Sequence, residues 1–107
     1  MEARPRKIRI YKTTDGRQPF TEWMDRIRRL EVHGVILTRL DRVQKGNLGD
    51  WKPVGEGVSE LKIDFGPGYR VYFGQDGDEV ILLTGGAKGT QSADVAKAKE
   101  YWRDYNA

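Results

Sequence analysis

Residues 60–91, ELKIDFGPGYRVYFGQDGDEVILLTGGAKGTQ, alternate in polarity over most of their length, and this pattern constrains the chain more than any other. Successive strand side chains point to opposite faces, so strict alternation marks a strand with one face buried. Leu61, Ile63 and Phe65 share one face of a first strand, and Glu60, Lys62 and Asp64 share the other. In a second strand Tyr69, Val71 and Phe73 fall together, with Arg70 and Tyr72 opposite. Gly66-Pro67-Gly68 supplies turn chemistry between them. A three-residue loop would set Phe65 against Tyr69, Ile63 against Val71 and Leu61 against Phe73. On the polar side it would set Asp64 against Arg70 and Lys62 against Tyr72. A one-residue slip would carry charges into the core. Glu79 to Thr84 then holds Val80-Ile81-Leu82-Leu83, apolar on both faces, as in a central strand covered from two sides.

Upstream, Arg6 to Tyr11 alternates around Ile8 and Ile10 and reads as a short strand ended by Thr13-Thr14-Asp15-Gly16. Pro19 to Leu30 reads as a helix, with Phe20, Trp23, Met24, Ile27 and Leu30 on one stripe. A second helix is expected from about Val32 to Lys45. Its inner residues are Ile36, Leu40 and Val43, with Leu37 beside them, and Arg39 and Arg42 lie on its outer side. Gly46-Asn47 should stop it. The two helices form an αα-hairpin whose break lies near Glu31 to Gly34 and contains His33, the only histidine. Gly46 to Gly57 reads as a connector whose Trp51 either caps an edge of the core or stacks on a base. Ser92 to Tyr105 is a last helix with Ser92 as N-cap, packing Val95, Ala98, Trp102 and Tyr105 on the sheet. The expected order is β-α-α-β-β-β-α, a single α+β domain over 1–107 with a twisted antiparallel sheet.

Charge is uneven. Residues 1–45 hold 12 Lys/Arg against 6 Asp/Glu, whereas residues 46–107 hold 7 against 10. A basic half suits an anionic partner, nucleic acid first, and equally suits solvated helix surfaces. Cysteine is absent, which excludes disulfides and thiolate metal sites. No apolar run reaches the ~20 residues of a membrane span, so a soluble, cytoplasmic protein is expected. Gly85-Gly86-Ala87-Lys88-Gly89-Thr90 lacks the spacing of a nucleotide-binding loop and reads as a bend.

Lys62, Arg70 and Tyr72 project together from the polar face, with Lys88 at the end of the adjacent strand. Converging cations over a rigid sheet suit a phosphodiester: arginine can hold phosphate oxygens bidentately and offset charge in a phosphorane-like transition state. A lysine crowded by Arg70 and Lys88 would have a lowered pKa and could act as a base. RNA carries its own nucleophile, the 2′-OH, so these functions suffice to cleave it without metal or cofactor. An ordinary cross-strand ion pair between Asp64 and Arg70 is the structural alternative.

Glu60-Leu61-Lys62-Ile63 with Gly66-Pro67-Gly68-Tyr69-Arg70-Val71-Tyr72-Phe73, and Leu82-Leu83-Thr84-Gly85-Gly86-Ala87-Lys88-Gly89-Thr90-Gln91, resemble the RelE/ParE toxin superfamily, closest to its HigB-like branch. Asp94, Ala98-Lys99, Arg39-Leu40 and Gly46-Asn47-Leu48-Gly49-Asp50 also match, so the resemblance spans nearly the whole chain. It implies a RelE-like fold and the toxin of a type II toxin–antitoxin pair. The toxin would be a metal-independent endoribonuclease that cuts mRNA on the ribosome. Its partner would be a cognate antitoxin, a small helix-turn-helix protein. The ParE branch, which inhibits DNA gyrase, and an inactive relic that keeps only antitoxin binding are the alternatives. By position, Arg70 resembles the arginine that contacts the scissile phosphate, and Lys62 and Lys88 fall where basic residues recur. The family's frequent histidine has no counterpart near the site, which leaves Tyr72, Tyr101 or Tyr105 as acids. Arg26, Arg28, Arg29, Arg39 and Arg42 would face ribosomal RNA.

Overall fold

The computed structural model describes residues 4–107. Its elements are β1 (Lys7–Ile10), α1 (Pro19–Arg26), α2 (Leu30–Gln44), β2 (Trp51–Gly55), β3 (Val58–Ile63), β4 (Tyr69–Asp76), β5 (Glu79–Ala87) and α3 (Gln91–Tyr105). The class is α+β, but the order gains a strand over expectation. The stretch read as a connector contains β2, an edge strand that pairs Trp51 with Leu61 and carries Pro53 and a bulge. Proline and a bulge suit an edge, and they also erase the alternation by which a strand is recognised. Trp51 is part-exposed, its ring centroid 6.4 Å from that of Phe73, and so caps an edge of the core.

The five strands are ordered β1-β5-β4-β3-β2. β1 runs parallel to β5, so the sheet is mixed rather than antiparallel. The β3–β4 hairpin pairs Ile63 with Tyr69, Lys62 with Arg70, Leu61 with Val71 and Glu60 with Tyr72. Its loop is therefore 64–68, and the register lies two residues from the one expected. A two-residue slip leaves every side chain on its own face, so the hydrophobic pattern cannot distinguish it from the three-residue loop. The consequence falls on the polar side, where Glu60, not Asp64, becomes the carboxylate beside Arg70.

Helices cover both faces. Phe20, Trp23 and Met24 of α1 and Val32, Ile36, Leu40 and Val43 of α2 pack on Leu61, Ile63, Val71, Phe73, Val80 and Leu82. On the other face, Ala98, with Val95, Trp102 and Tyr105, covers Val58, Tyr72, Ile81 and Leu83. The doubly apolar run in β5 lies between these layers, as its composition required. α1 ends at Arg26 rather than Leu30, because Ile27 takes an extended conformation. Leu30 instead opens α2 and lies exposed, as does Leu37. His33 sits in the first turns of α2 and donates from Nε2 to the Ile27 carbonyl at 2.6 Å, closing the end of α1. Gly46, at φ +97°, ends α2 as expected. The Gly46 and Asn47 amides donate back to Val43 and Arg42, forming a Schellman motif. The N-cap of α3 is Thr90, not Ser92.

Candidate functional site

β5 contains a bulge opposite Tyr72 and Phe73, so that Tyr72 pairs with Thr84 while Phe73 pairs with Leu82. Past this irregularity Thr84 and Gly86 continue the face begun by Ile81 and Leu83. Gly86 thus lies across from Arg70, on the side of α3. Both glycines of the GG pair are inside the strand, and opposite faces require them. A Cβ on Gly85 would enter the Trp23 ring of α1, and one on Gly86 would enter the Asp94 carboxylate of α3. The expected bend is therefore a place where two helices close on one strand.

α3 covers the lower part of this face and leaves the upper part open beyond its N-terminus. Glu60, Lys62, Arg70 and Tyr72 share this face, as the alternation implied, with Tyr72 beneath the others. Arg70 donates through Nε to Glu60 Oε1 at 2.9 Å, and both side chains are largely buried. Lys52, across the β2–β3 ladder, stands 3.8 Å from the other Glu60 oxygen. The Gln91 amide oxygen, turned toward Arg70, accepts from the guanidinium with Nη2 at 2.6 Å. Thr90 links the start of α3 to Asp94 through a 2.6 Å hydrogen bond. Glu60, Lys52, Gln91 and Asp94 are thus members of the cluster that alternation alone did not single out. The signal for Glu60 was present in its place on the polar face.

A hollow of about 220 Å³ opens over Glu60, Lys62, Arg70, Lys52 and Trp51. Lys62 is exposed at its rim and also borders a larger cleft of about 640 Å³ between α2 and the end of β3. Lys88 is exposed on the loop after β5, where its amide donates to the Gly68 carbonyl and ties that loop to the β3–β4 turn. Tyr72 does not reach the open surface. It is 0 % exposed, and its hydroxyl has no hydrogen-bond partner among the described residues. Burial, reinforced by the Glu60 and Asp94 charges and opposed by Arg70, pushes its pKa up to about 12. It forms the floor of the site and keeps its proton. Tyr101 packs on Tyr11, and the Tyr105 hydroxyl donates to Asp76, so both are engaged elsewhere. Among the described residues no three His, Cys, Asp or Glu side chains are placed to hold a metal ion.

Of the five hairpin arginines, Arg39 and Arg42 line the cleft that Lys62 also borders, whereas Arg26, Arg28 and Arg29 lie away from it, on the helices that pack against the other face of the sheet. Arg26, Arg28, Arg29 and Arg42 are exposed. Arg39 is not on the outer side: it is 8 % exposed and donates through Nη2 to the Leu48 carbonyl, beneath Gly49. Burial, aided by Arg42 and opposed by Asp50, lowers its pKa. Arg39 was expected on the outer side; it lies three residues after Ile36 and four before Val43, beside the apolar stripe, and the connector folds over it.

No family model matches the chain. An uncharacterized protein of Haemophilus influenzae (strain ATCC 51907 / DSM 11121 / KW20 / Rd) is 47% identical over 81 residues, which cover 75% of this chain and 82% of that protein. Among the described residues no helix is long and apolar enough to cross a membrane. At that identity and coverage the chain belongs to the same family as the uncharacterized H. influenzae protein.

Proposed function

We propose that this protein is the toxin of a type II toxin–antitoxin pair, of the RelE-like kind, and that it acts as a ribosome-dependent mRNA endoribonuclease. The observation that carries the proposal is the state of Arg70. Its Nε is fixed by a buried carboxylate, while its Nη atoms are met, among the described residues, only by the neutral amide of Gln91. A phosphate forms shorter, charge-assisted hydrogen bonds than an amide does and is able to take the place of Gln91 on the guanidinium fork. Arg70 would then hold the scissile phosphate at the open end of the sheet, with Lys62 and Lys88 flanking the RNA. In the reaction the 2′-oxygen attacks the adjacent phosphorus, its proton passes to a base, and the 5′-oxygen leaves with a proton. The products are a 2′,3′-cyclic phosphate and a 5′-hydroxyl. Arg70 offsets the charge that builds on the equatorial oxygens. Glu60 fixes the arginine's plane. Tyr72, enclosed beneath them, supports the site without touching substrate. A small helix-turn-helix antitoxin is the expected neutralising partner.

The test is controlled expression in a bacterial host, with growth followed and mRNA 5′ ends mapped in the first minutes. Growth arrest with new in-frame ends is expected, and Arg70→Ala should abolish both while the protein stays folded. Arrest with intact mRNA would refute the nuclease, and a fully toxic Arg70→Ala would refute the site.

A further inference from the structure

α2 breaks two folding rules on its outer face. Leu30 is 83% exposed and Leu37 is 56% exposed, although the same helix buries Val32, Ile36, Leu40 and Val43. Between them, on the same stripe at i, i+4 and i+7, stands Gly34. Glycine inside a helix is destabilising relative to alanine, so it calls for a reason. None is found among the described residues. A Cβ at Gly34 meets nothing within 4 Å, and the residue does not take a left-handed conformation. Exposed leucines and a bare patch of helix backbone between them suit an apolar helix lying close against α2.

The surrounding charges select the occupant. Arg26 and Arg28 stand just before Leu30, and Arg42 stands on the far flank, all three exposed and without an ion pair among the described residues. The carboxylates of the same helix, Glu31 and Asp41, are paired with Arg29 and Lys45, and Asp50 and Asp64 lie on the β2–β3 side of the cleft. The start of α2 has no side-chain cap, which leaves its first amides and the positive end of its dipole facing the same region. A second copy of this chain would bring identical arginines together. RNA phosphates would satisfy the arginines but leave the leucines uncovered. We infer that the Leu30–Gly34–Leu37 face of α2 is the docking surface for an acidic amphipathic helix of a partner protein. Its small or apolar side chains would lie over Gly34, and its carboxylates would meet Arg26, Arg28 and Arg42. α2 packs on the face of the sheet opposite Arg70, although the cleft beside Gly34 and Arg42 also reaches Lys62; the peptide test reads binding at α2 and does not depend on the nuclease proposal.

The probe is a helix-forming peptide of leucine, alanine and glutamate, titrated into the isotope-labelled full chain and followed by amide shifts and fluorescence anisotropy. Controls are the same peptide with lysine for glutamate, and a single-stranded RNA oligomer. The acidic peptide should shift the amides of Leu30, Gly34, Leu37 and Thr38. Leu37→Asp should weaken it about tenfold or more, as truncation of an interface anchor does. Gly34→Gln is the second variant. It should raise the melting temperature of the free protein and yet weaken the peptide, a combination that a purely structural glycine would not give. The inference is overturned if the acidic peptide does not bind, or if acidic and basic peptides bind alike. It is equally overturned if the shifts fall elsewhere, if either variant binds as the parent does, or if RNA alone shifts these amides.

Discussion

Tyr72→Phe should stabilise this protein. The substitution removes one oxygen from a ring that is wholly enclosed and has no hydrogen-bond partner among the described residues. Burying an unpartnered hydroxyl costs about 1–3 kcal/mol on mutational scales, whereas the space left by one oxygen is small. A gain of about 1 kcal/mol is expected at pH 7, or about 4–8 °C in Tm for a domain of this size. The pH dependence sharpens the test. The folded chain holds the phenol proton up to about 12, whereas an unfolded tyrosine releases it at 10.0. Stability from this group is therefore complete below pH 10 and is lost as pH rises toward 12, at up to about 1.4 kcal/mol per unit. The advantage of the phenylalanine variant should widen by about 1 kcal/mol between pH 9.5 and 11. Urea unfolding of both proteins at the two pH values measures it. A variant less stable than the parent by 1 kcal/mol or more would show that the hydroxyl is hydrogen-bonded, and would refute the reasoning. If the protein acts as proposed, this variant should arrest growth as the parent does, because Tyr72 is given no contact with substrate.

Gly85→Ala should cost about 3 kcal/mol in urea unfolding, because its methyl meets the buried Trp23 ring across a close-packed face. Gly86→Ala meets the Asp94 carboxylate instead and should cost less, with most of the loss recovered by adding Asp94→Ala. Arg39→Met should be milder than Arg39→Ala, since the methionine keeps the packing of the stem while removing a guanidinium nitrogen that has no partner. The alanine variant should lose about 2 kcal/mol, measured the same way. Glu60→Leu should cost about 3 kcal/mol by leaving Arg70 without its carboxylate, and adding Arg70→Leu should restore most of it while growth arrest is lost.

The helices and the central strands were legible because their burial is one-sided and periodic. Phe20, Trp23 and Met24 of α1, and Ile36, Leu40 and Val43 of α2, lie where a 3.6-residue repeat puts them. The faces of β3 and β4 were legible for the same reason. Their register was not, because faces repeat every two residues and Gly66-Pro67-Gly68 serves a five-residue loop as well as a three-residue one. Partners across the sheet depend on register, so the carboxylate of Arg70 was misassigned while its neighbours Lys62 and Tyr72 stayed on the expected face. β2 was hidden by Pro53 and its flanking glycines. The parallel pairing of β1 is set by contacts some seventy residues apart, which local pattern does not encode. Arg39 shows the limit of helical periodicity: a side chain at the margin of a stripe is buried or exposed according to what the next segment does.

Departures from stable packing gather at two places. Around Arg70, a buried ion pair, a strand-interior glycine under Asp94 and an orphan tyrosine hydroxyl lie within one cluster. A buried pair is weak evidence for stability, since apolar residues of equal volume do as well or better. Rule-breaking of this kind is expected where a surface serves binding or chemistry. The second place is the outer stripe of α2, with two exposed leucines and a glycine that packing does not require. The two lie on opposite faces of the sheet, with Lys62 bordering the cleft that Gly34 and Arg42 also line. If Arg70 holds a phosphate as proposed, an occupant of α2 would meet Lys62 across that cleft before it reached Arg70.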